Sequence, residues 1–292
     1  MRSTLLLPFA ILLSFTLKAQ YGTFDAAAVK AAKATTMVVV LDAGDSPYNR
    51  TIMNAVKREW KFTAAYEFVT VAELGAMPID PTRTYLLKTA KVDPVKYEGT
   101  FLTLVRGWKQ KKGEPLEQKE NAFTSIASEN ELAFILIDPL AISEKNMAPM
   151  LTIYIKHLQD YLKLVEVGRI TDKATADRTY ASRSRLVRDT ELLIAAEHVD
   201  KSLPAESSVQ EHYTSSMRVV GLSDLVDAVN SGDHSTTVSD VVLTGEHKNK
   251  HCFKRVFNAG TGELMYQGDD AALFGKKEGF IDVDLKNIER AR

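Results

Sequence analysis

The chain has a single cysteine and almost no excess of charge, and each shortage excludes a class of protein. Cys252 is alone among 292 residues, so an internal disulfide and dithiol exchange through a Cys-x-x-Cys motif are both excluded. The 37 Lys and Arg residues nearly balance the 38 Asp and Glu residues. This balance argues against a nucleic-acid-binding protein, because phosphate contacts draw on an excess of basic residues.

The sequence also lacks the short motifs that mark common catalytic sites. Gly-x-Ser-x-Gly, His-Glu-x-x-His and the glycine-rich phosphate loop are all absent. Catalytic triads are assembled in space from distant residues, so this absence does not exclude an enzyme. The sequence favours a protein without catalytic activity and leaves an enzyme as the alternative.

The longest hydrophobic run lies at the N-terminus and falls short of the ~20 residues of a transmembrane helix. It occupies residues 5–15, follows Arg2 and ends near Ala19, a small residue suited to cleavage. We therefore predict that residues 1–19 are a signal peptide and that the mature protein is periplasmic or secreted, without a membrane span. The alternatives are a retained N-terminal anchor and a buried helix of a cytosolic protein.

The end of this segment, Leu17-Lys18-Ala19-Gln20, resembles exported proteins of Bacteroidota-type bacteria. Cleavage removes Arg2 and Lys18, which leaves 35 basic residues against 38 acidic residues. The mature protein is therefore expected to be slightly acidic.

Apolar runs and turn residues divide the mature chain into two similar halves. Residues 20–168 form the predicted first lobe, residues 169–189 a polar linker, and residues 190–292 the second lobe. Four segments occur in the same order in each half: MVVVLDAGD and LLIAAEHVD, YEFVTVAEL and SMRVVGLSDL, TYLLKTAK and DVVLTGEH, FLTLVRGWK and CFKRVFNAG. The pattern predicts an α/β or α+β protein whose lobes each contain a mixed β-sheet with flanking helices. We interpret it as an internal duplication, with convergence of pattern as the alternative.

The element order of each half resembles that of the thioredoxin fold. The resemblance implies a Cys-x-x-Cys motif after the first strand. Residues 43–47 (AGDSP) and 200–204 (DKSLP) occupy these places and contain no cysteine. The resemblance therefore implies a tandem, degenerate thioredoxin-like pair without redox activity.

Polar residues after the first strand form one candidate ligand site. Asp42, Asp45 and Ser46 follow the apolar run that begins at residue 36. Binding groups commonly lie at the carboxyl ends of strands in open α/β sheets. The alternative is that Asp45 or Ser46 caps the helix that follows.

A second candidate is a metal site in a predicted hairpin of the second lobe. Glu246, His247 and His251 lie close in sequence, and Cys252 follows directly. Imidazole and thiolate suit zinc, but adjacent strand residues point to opposite faces, so His251 and Cys252 do not easily share a site. The alternative is a solvated hairpin with Cys252 buried and inert. Apart from this zinc alternative, no cofactor is predicted.

A third candidate is a basic cluster around Tyr180, formed by Arg178, Arg183, Arg185 and Arg188. Such a cluster suits an anionic polymer or a lipid headgroup. The alternative is an ordinary solvated face.

Three hypotheses of function follow. The first is a non-catalytic exported binding or assembly module of the bacterial cell envelope, whose partner is another envelope or secreted protein. The second is an extracytoplasmic enzyme or small-ligand binder that uses Asp42 and Asp45. The third is a metal-binding protein that uses His247 and His251.

Overall fold

The computed structural model describes residues 21–92, 98–111 and 115–292, so the predicted signal peptide lies outside the described residues. The helices are α1 Ala26–Lys33, α2 Pro47–Glu59, α3 Val71–Ala76, α4 Pro139–Glu144, α5 Met150–Glu166, α6 Lys173–Arg183, α7 Glu206–Gln210, α8 Leu222–Ser231 and α9 Asp282–Glu289. The strands are β1 Thr36–Leu41, β2 Ala65–Thr70, β3 Thr84–Val92, β4 Glu98–Arg106, β5 Gln118–Lys119, β6 Ala122–Phe123, β7 Glu131–Ile137, β8 Glu191–Ala195, β9 Met217–Val220, β10 Thr236–Thr244, β11 His251–Asn258 and β12 Leu264–Ala271.

The strands form two mixed sheets with the same order. The first sheet runs β2-β1-β3-β4-β7, with the short strands β5 and β6 attached to β3, and the second runs β9-β8-β10-β11-β12. In each sheet the first three strands of the lobe are parallel, and the next two are antiparallel to their neighbours. The predicted α/β architecture, two lobes that each have a mixed sheet and flanking helices, is confirmed.

The agreement between the sheets extends to single residues. Met37 of β1 pairs with Thr84 of β3, and Leu192 of β8 pairs with Thr237 of β10. A threonine hydroxyl one residue before each first strand bonds to this buried threonine. The Oγ1–Oγ1 distance is 3.1 Å for Thr35 and Thr84, and the equivalent pair in the second lobe is 3.0 Å apart. Each buried hydroxyl thereby gains the hydrogen bond that burial requires.

A β-bulge also recurs at the same point of both sheets. In the first sheet the register between β4 and β7 shifts between Leu104 and Val105. In the second sheet the register between β11 and β12 shifts between Val256 and Phe257, the equivalent positions. A bulge inserts one residue and turns the strand locally, so its recurrence gives both sheets the same local bend.

Helix α5 lies between the two sheets and is buried on nearly all sides. The apolar spacing of residues 146–167 predicts this helix, which begins at Met150 and ends before Gly168, a residue with φ of +74°. The Tyr154 ring lies 6.2 Å from that of Phe257 in β11. One apolar cluster contains side chains of α5, of the first sheet and of the second sheet, so the lobes share a core. Within the described ranges, every helix is too short or too polar to cross a bilayer.

The segment predicted as a polar linker contains helix α6. Asp172 caps this helix by accepting the N–H of Thr175, a local signal that the weak apolar periodicity of the segment obscured. Tyr180 is buried and stacks on Tyr21 at 5.8 Å between ring centroids. The segment is therefore a packed part of the structure. The predicted lobe limits at residues 168 and 190 stay predictions.

A buried polar cluster joins the lobes beside α5. The Arg255 guanidinium lies 2.6 Å from Asp240 Oδ2 and donates to the carbonyl of Leu136 in the first lobe at 2.9 Å. Tyr154 donates its hydroxyl proton to Asp240 Oδ1 at 3.1 Å. The cluster ties the end of β7, helix α5 and strand β10 to one another.

We expect the stability of the protein to fall in mild acid because of His157. This side chain is buried on α5 between the rings of Tyr180 and Phe257, and burial lowers its pKa to about 4. An unfolded histidine titrates near pH 6.5, so the unfolded chain binds the extra proton between roughly pH 6.5 and 4. The free energy of unfolding should therefore drop by about 3 kcal/mol more in the native protein than in His157→Gln over this window.

Urea unfolding at a series of pH values measures this difference. The exposed His234, changed to Gln, is the control and should leave the pH profile as it is. Parallel profiles for the native protein and His157→Gln would show that His157 does not carry the effect.

Candidate functional site

Asp42, the first predicted site residue, forms an ion pair inside the protein. Its Oδ1 lies 2.5 Å from Nζ of Lys88 on β3, and both side chains are buried. The ammonium also lies 4.3 Å from the ring centroid of Tyr48. Asn49 bonds to the backbone N–H and carbonyl of Asp42. The strand end is therefore closed by internal contacts.

Asp45 and Ser46 also have partners within the chain. Ser46 accepts the N–H of Asn49 at 3.1 Å and caps α2, as the alternative interpretation predicts. Asp45 forms an exposed ion pair with Arg50 at 2.7 Å. The proposed ligand-binding role of Asp42, Asp45 and Ser46 stays a prediction.

The predicted metal hairpin is a short turn between β10 and β11. Glu246 precedes a 3-10 turn that starts at His247, and His251 begins β11. Cys252 is buried, as the alternative interpretation predicts, and burial raises the pKa of its thiol to about 12, which disfavours the reactive thiolate. Among the residues that the structure describes, no group of three or more His, Cys, Asp or Glu side chains is arranged to hold a metal ion.

The basic cluster is divided between an inward and an outward part. Arg183 forms a bidentate ion pair with Asp160, at 2.6 and 3.1 Å, and is half-buried. Arg178, Arg185 and Arg188 are exposed. Arg183 is therefore neutralised within the fold, and the binding role of the cluster stays a prediction.

A cleft between the lobes gathers side chains that no sequence pattern singled out. It holds a cavity of about 90 Å³ that opens to solvent, and it lies between α4 and α5 of the first lobe and the turn after β8, α8 and β10 of the second. Its ionisable lining residues are Asp138, Lys145, Glu197, His198, Asp240 and Glu278. Acidic groups outnumber basic ones, and the remaining lining is largely apolar.

Two of the four acidic groups of the cleft form ion pairs, whereas Asp138 and Glu197 form none with the residues that the structure describes. Asp240 pairs with Arg255, and Glu278 pairs with Lys250. Glu197 is exposed and forms no ion pair with the residues that the structure describes. Its carboxylate is therefore an unpaired negative charge in the cleft, which Lys145 also lines.

His198 lies beside Glu197 as a neutral, fixed side chain. Its Nδ1 lies 2.8 Å from Oγ of Ser239, which accepts the N–H of Ala195. Burial lowers the pKa of His198, so its ring is uncharged at neutral pH. Ser239 is fully buried, so this histidine–serine contact positions the end of β8 and does not present a nucleophile.

The cleft runs along one edge of β10. Strand β8 pairs with β10 only from Thr236 to Val238 and then turns away. Asp240 and Val241 point to opposite faces of the sheet, yet both line the cleft. A space bordered by both faces lies at the edge of a strand. The edge of β10 beyond Val238, which pairs with no strand of the described residues, therefore forms part of the cleft wall.

Comparison of the chain with protein-family models, with curated proteins and with solved structures gave no match. The candidate site therefore rests on geometry. Its residues come from separate segments of both lobes, which explains why sequence patterns missed it. One signal was available: Asp138 and Glu197 each follow the end of an apolar strand, as Asp42 does.

We expect Lys88→Met to destabilise the protein by about 3–5 kcal/mol, because it leaves the Asp42 carboxylate buried without its partner. The double variant Asp42→Asn/Lys88→Met should recover much of this loss, since neither charge remains. Arg50→Ala, which breaks the exposed pair with Asp45, is the control and should cost about 1 kcal/mol or less. Urea unfolding measures all three. If Lys88→Met costs no more than the control, Asp42 does not depend on this pair.

Proposed function

We propose that this protein is a non-catalytic exported binding module of the bacterial cell envelope. In this proposal it holds a segment of another envelope or secreted protein in the cleft between its lobes. The observation that carries the proposal is the cleft itself, which combines a strand edge that pairs with no described strand, an apolar lining and the unpaired carboxylate of Glu197. The polar groups predicted to bind a ligand at β1 have partners within the fold.

We also propose that the two lobes arose by internal duplication. The shared strand order, the threonine pairs and the recurring bulge support this origin. A shift of one residue in the pairing of two strands turns every side chain of a strand to the other face of the sheet. Independent sequences are therefore not expected to agree in register over several strands. The likeness of each lobe to a degenerate thioredoxin-like unit remains part of the proposal.

Export by a cleaved signal peptide is the third element of the proposal, and the pattern of residues 1–19 supports it. We expect the protein isolated from a periplasmic or culture fraction of a bacterial host to lack residues 1–19. Intact-mass measurement and N-terminal sequencing check the cleavage point. A mature protein that begins at Met1 would contradict the signal-peptide prediction.

We expect a photo-crosslinking residue in the cleft to capture the partner protein. Leu222 lines the cleft and is partly exposed, so benzoylphenylalanine at this position should form a defined adduct in cells that export the protein. The same residue at Met77, which is 45% exposed and outside the cleft, is the control. Filling the cleft with Val241→Trp should remove the adduct. Equal adducts from both positions, or none from Leu222, would contradict binding in the cleft.

A further inference from the structure

In the first lobe, a short strand covers the edge of β3, whereas no described strand covers the equivalent edge of β10 in the second lobe. Strand β3 pairs with β1 only as far as Leu86, and farther along it pairs in parallel with β6 through Thr89 and Phe123. Strands β5 and β6 form a hairpin in the long connection between β4 and β7. In the second lobe the connection between β11 and β12 is residues 259–263, a tight turn without such a hairpin.

The hydrogen bonds of the second sheet show which backbone groups of β10 face away from its partner strand β11. The carbonyl of Thr236 accepts the N–H of Ala259 at 2.9 Å, so Thr236 faces the β11 side. Residues of an antiparallel strand face the partner alternately. Val241 and Leu243 therefore turn their N–H and carbonyl groups away from β11 and toward the cleft.

The same groups are covered in the first lobe. The carbonyl of Arg83 accepts the N–H of Gly107 at 2.8 Å, as the carbonyl of Thr236 does in the second lobe. By the same alternation, Lys88 and Ala90 face β6, which lies against them at Phe123. Because the two sheets have the same register, Lys88 of the first lobe is equivalent to Val241 of the second, and Ala90 is equivalent to Leu243. In the first lobe, β6 therefore occupies the position beside β3 that is equivalent to the cleft beside β10.

The charges at the two edges complete the comparison. Asp42 after β1 corresponds to Glu197 after β8. In the first lobe, Lys88 neutralises Asp42 at 2.5 Å. The position of Lys88 holds Val241 in the second lobe, so Glu197 lacks the cation that its equivalent has. A ligand that reproduces the ion pair of the first lobe in the second lobe must place a basic side chain beside Glu197.

We propose that β10 binds an extended segment of a partner protein as an added parallel strand, and that a basic side chain of the segment pairs with Glu197. The inference rests on the proposed function and specifies its binding mode. The N–H of Leu243 donates to the segment and the carbonyl of Val241 accepts from it, which is the hydrogen-bonding pattern of strand addition.

Strand alternation also assigns the side chains of the segment. Val242 packs toward the first lobe, so the residue opposite it points to the apolar side of the cleft, at Ile142 and Met150. The neighbouring residues point to the face of Val241, which is the face that Lys88 occupies in the first lobe. The segment therefore has an apolar residue next to Lys or Arg.

Selection of a phage-displayed library of random heptapeptides on the mature protein tests the proposal. Enriched peptides should share an apolar residue beside Lys or Arg. Leu243→Pro removes one edge N–H and should weaken the selected synthetic peptides by about tenfold. Asp269→Pro is the matched control, because Asp269 lies on β12 and faces the outer edge of the same sheet; it should leave the affinity unchanged.

A charge exchange tests the ion pair. Glu197→Lys should lower the affinity of the selected peptides. The same variant should bind more tightly to peptides in which Glu replaces the basic residue. Hydrogen exchange on the unmodified protein gives an independent measurement that does not depend on how well the proline variant folds. The peptide should slow exchange of the Leu243 amide and leave that of Asp269 unchanged.

The outcomes separate this inference from the proposed function. One outcome is that Val241→Trp blocks peptide binding, while the peptide does not slow exchange of the Leu243 amide and Leu243→Pro does not change its affinity. That outcome would overturn strand addition and retain the cleft as the binding site. Failure to select any peptide, or binding that Val241→Trp does not affect, would overturn both.

Discussion

The ion pair between Asp240 and Arg255 is the contact on which the arrangement of the lobes depends. Both side chains are almost fully buried, and each also bonds to the first lobe, Asp240 through Tyr154 and Arg255 through the carbonyl of Leu136. Two buried charges are tolerable only when paired and hydrogen-bonded. The buried charges of β10 and β11 therefore obtain part of their hydrogen bonding from the first lobe, which holds the two lobes together beside the cleft.

The two lobes share a strand topology and differ in the strands and charges that lie at the edge of the third strand. A hairpin fills the edge of β3, and Lys88 neutralises the acid beside it. The second lobe has neither the hairpin nor the lysine. Free strand edges invite pairing with other chains, and proteins usually cover or charge them. Here the first lobe partly encloses the edge of β10, which restricts access to a segment that fits the cleft.

The local parts of this structure were predictable from sequence, and the parts that depend on contact between lobes were not. The strands around Val39 and Leu193 are short apolar runs bounded by polar residues, and the Ser46 cap lies next to the helix that it caps. Helix α6 was missed because its inward face is little more than Ala176 and Tyr180, too few apolar positions to form a pattern. The cleft was missed for another reason: Tyr154 and Asp240 look like ordinary residues of a helix and a strand until tertiary packing brings them together.

The burial of α5 on nearly all sides requires that the second lobe fold against the first. The first lobe is synthesised first, and one face of α5 then has no partner until the second sheet packs against it. The second lobe must therefore complete a surface that is already present. The cleft does not exist before that step, so a partner that binds there distinguishes the finished protein from every incomplete form.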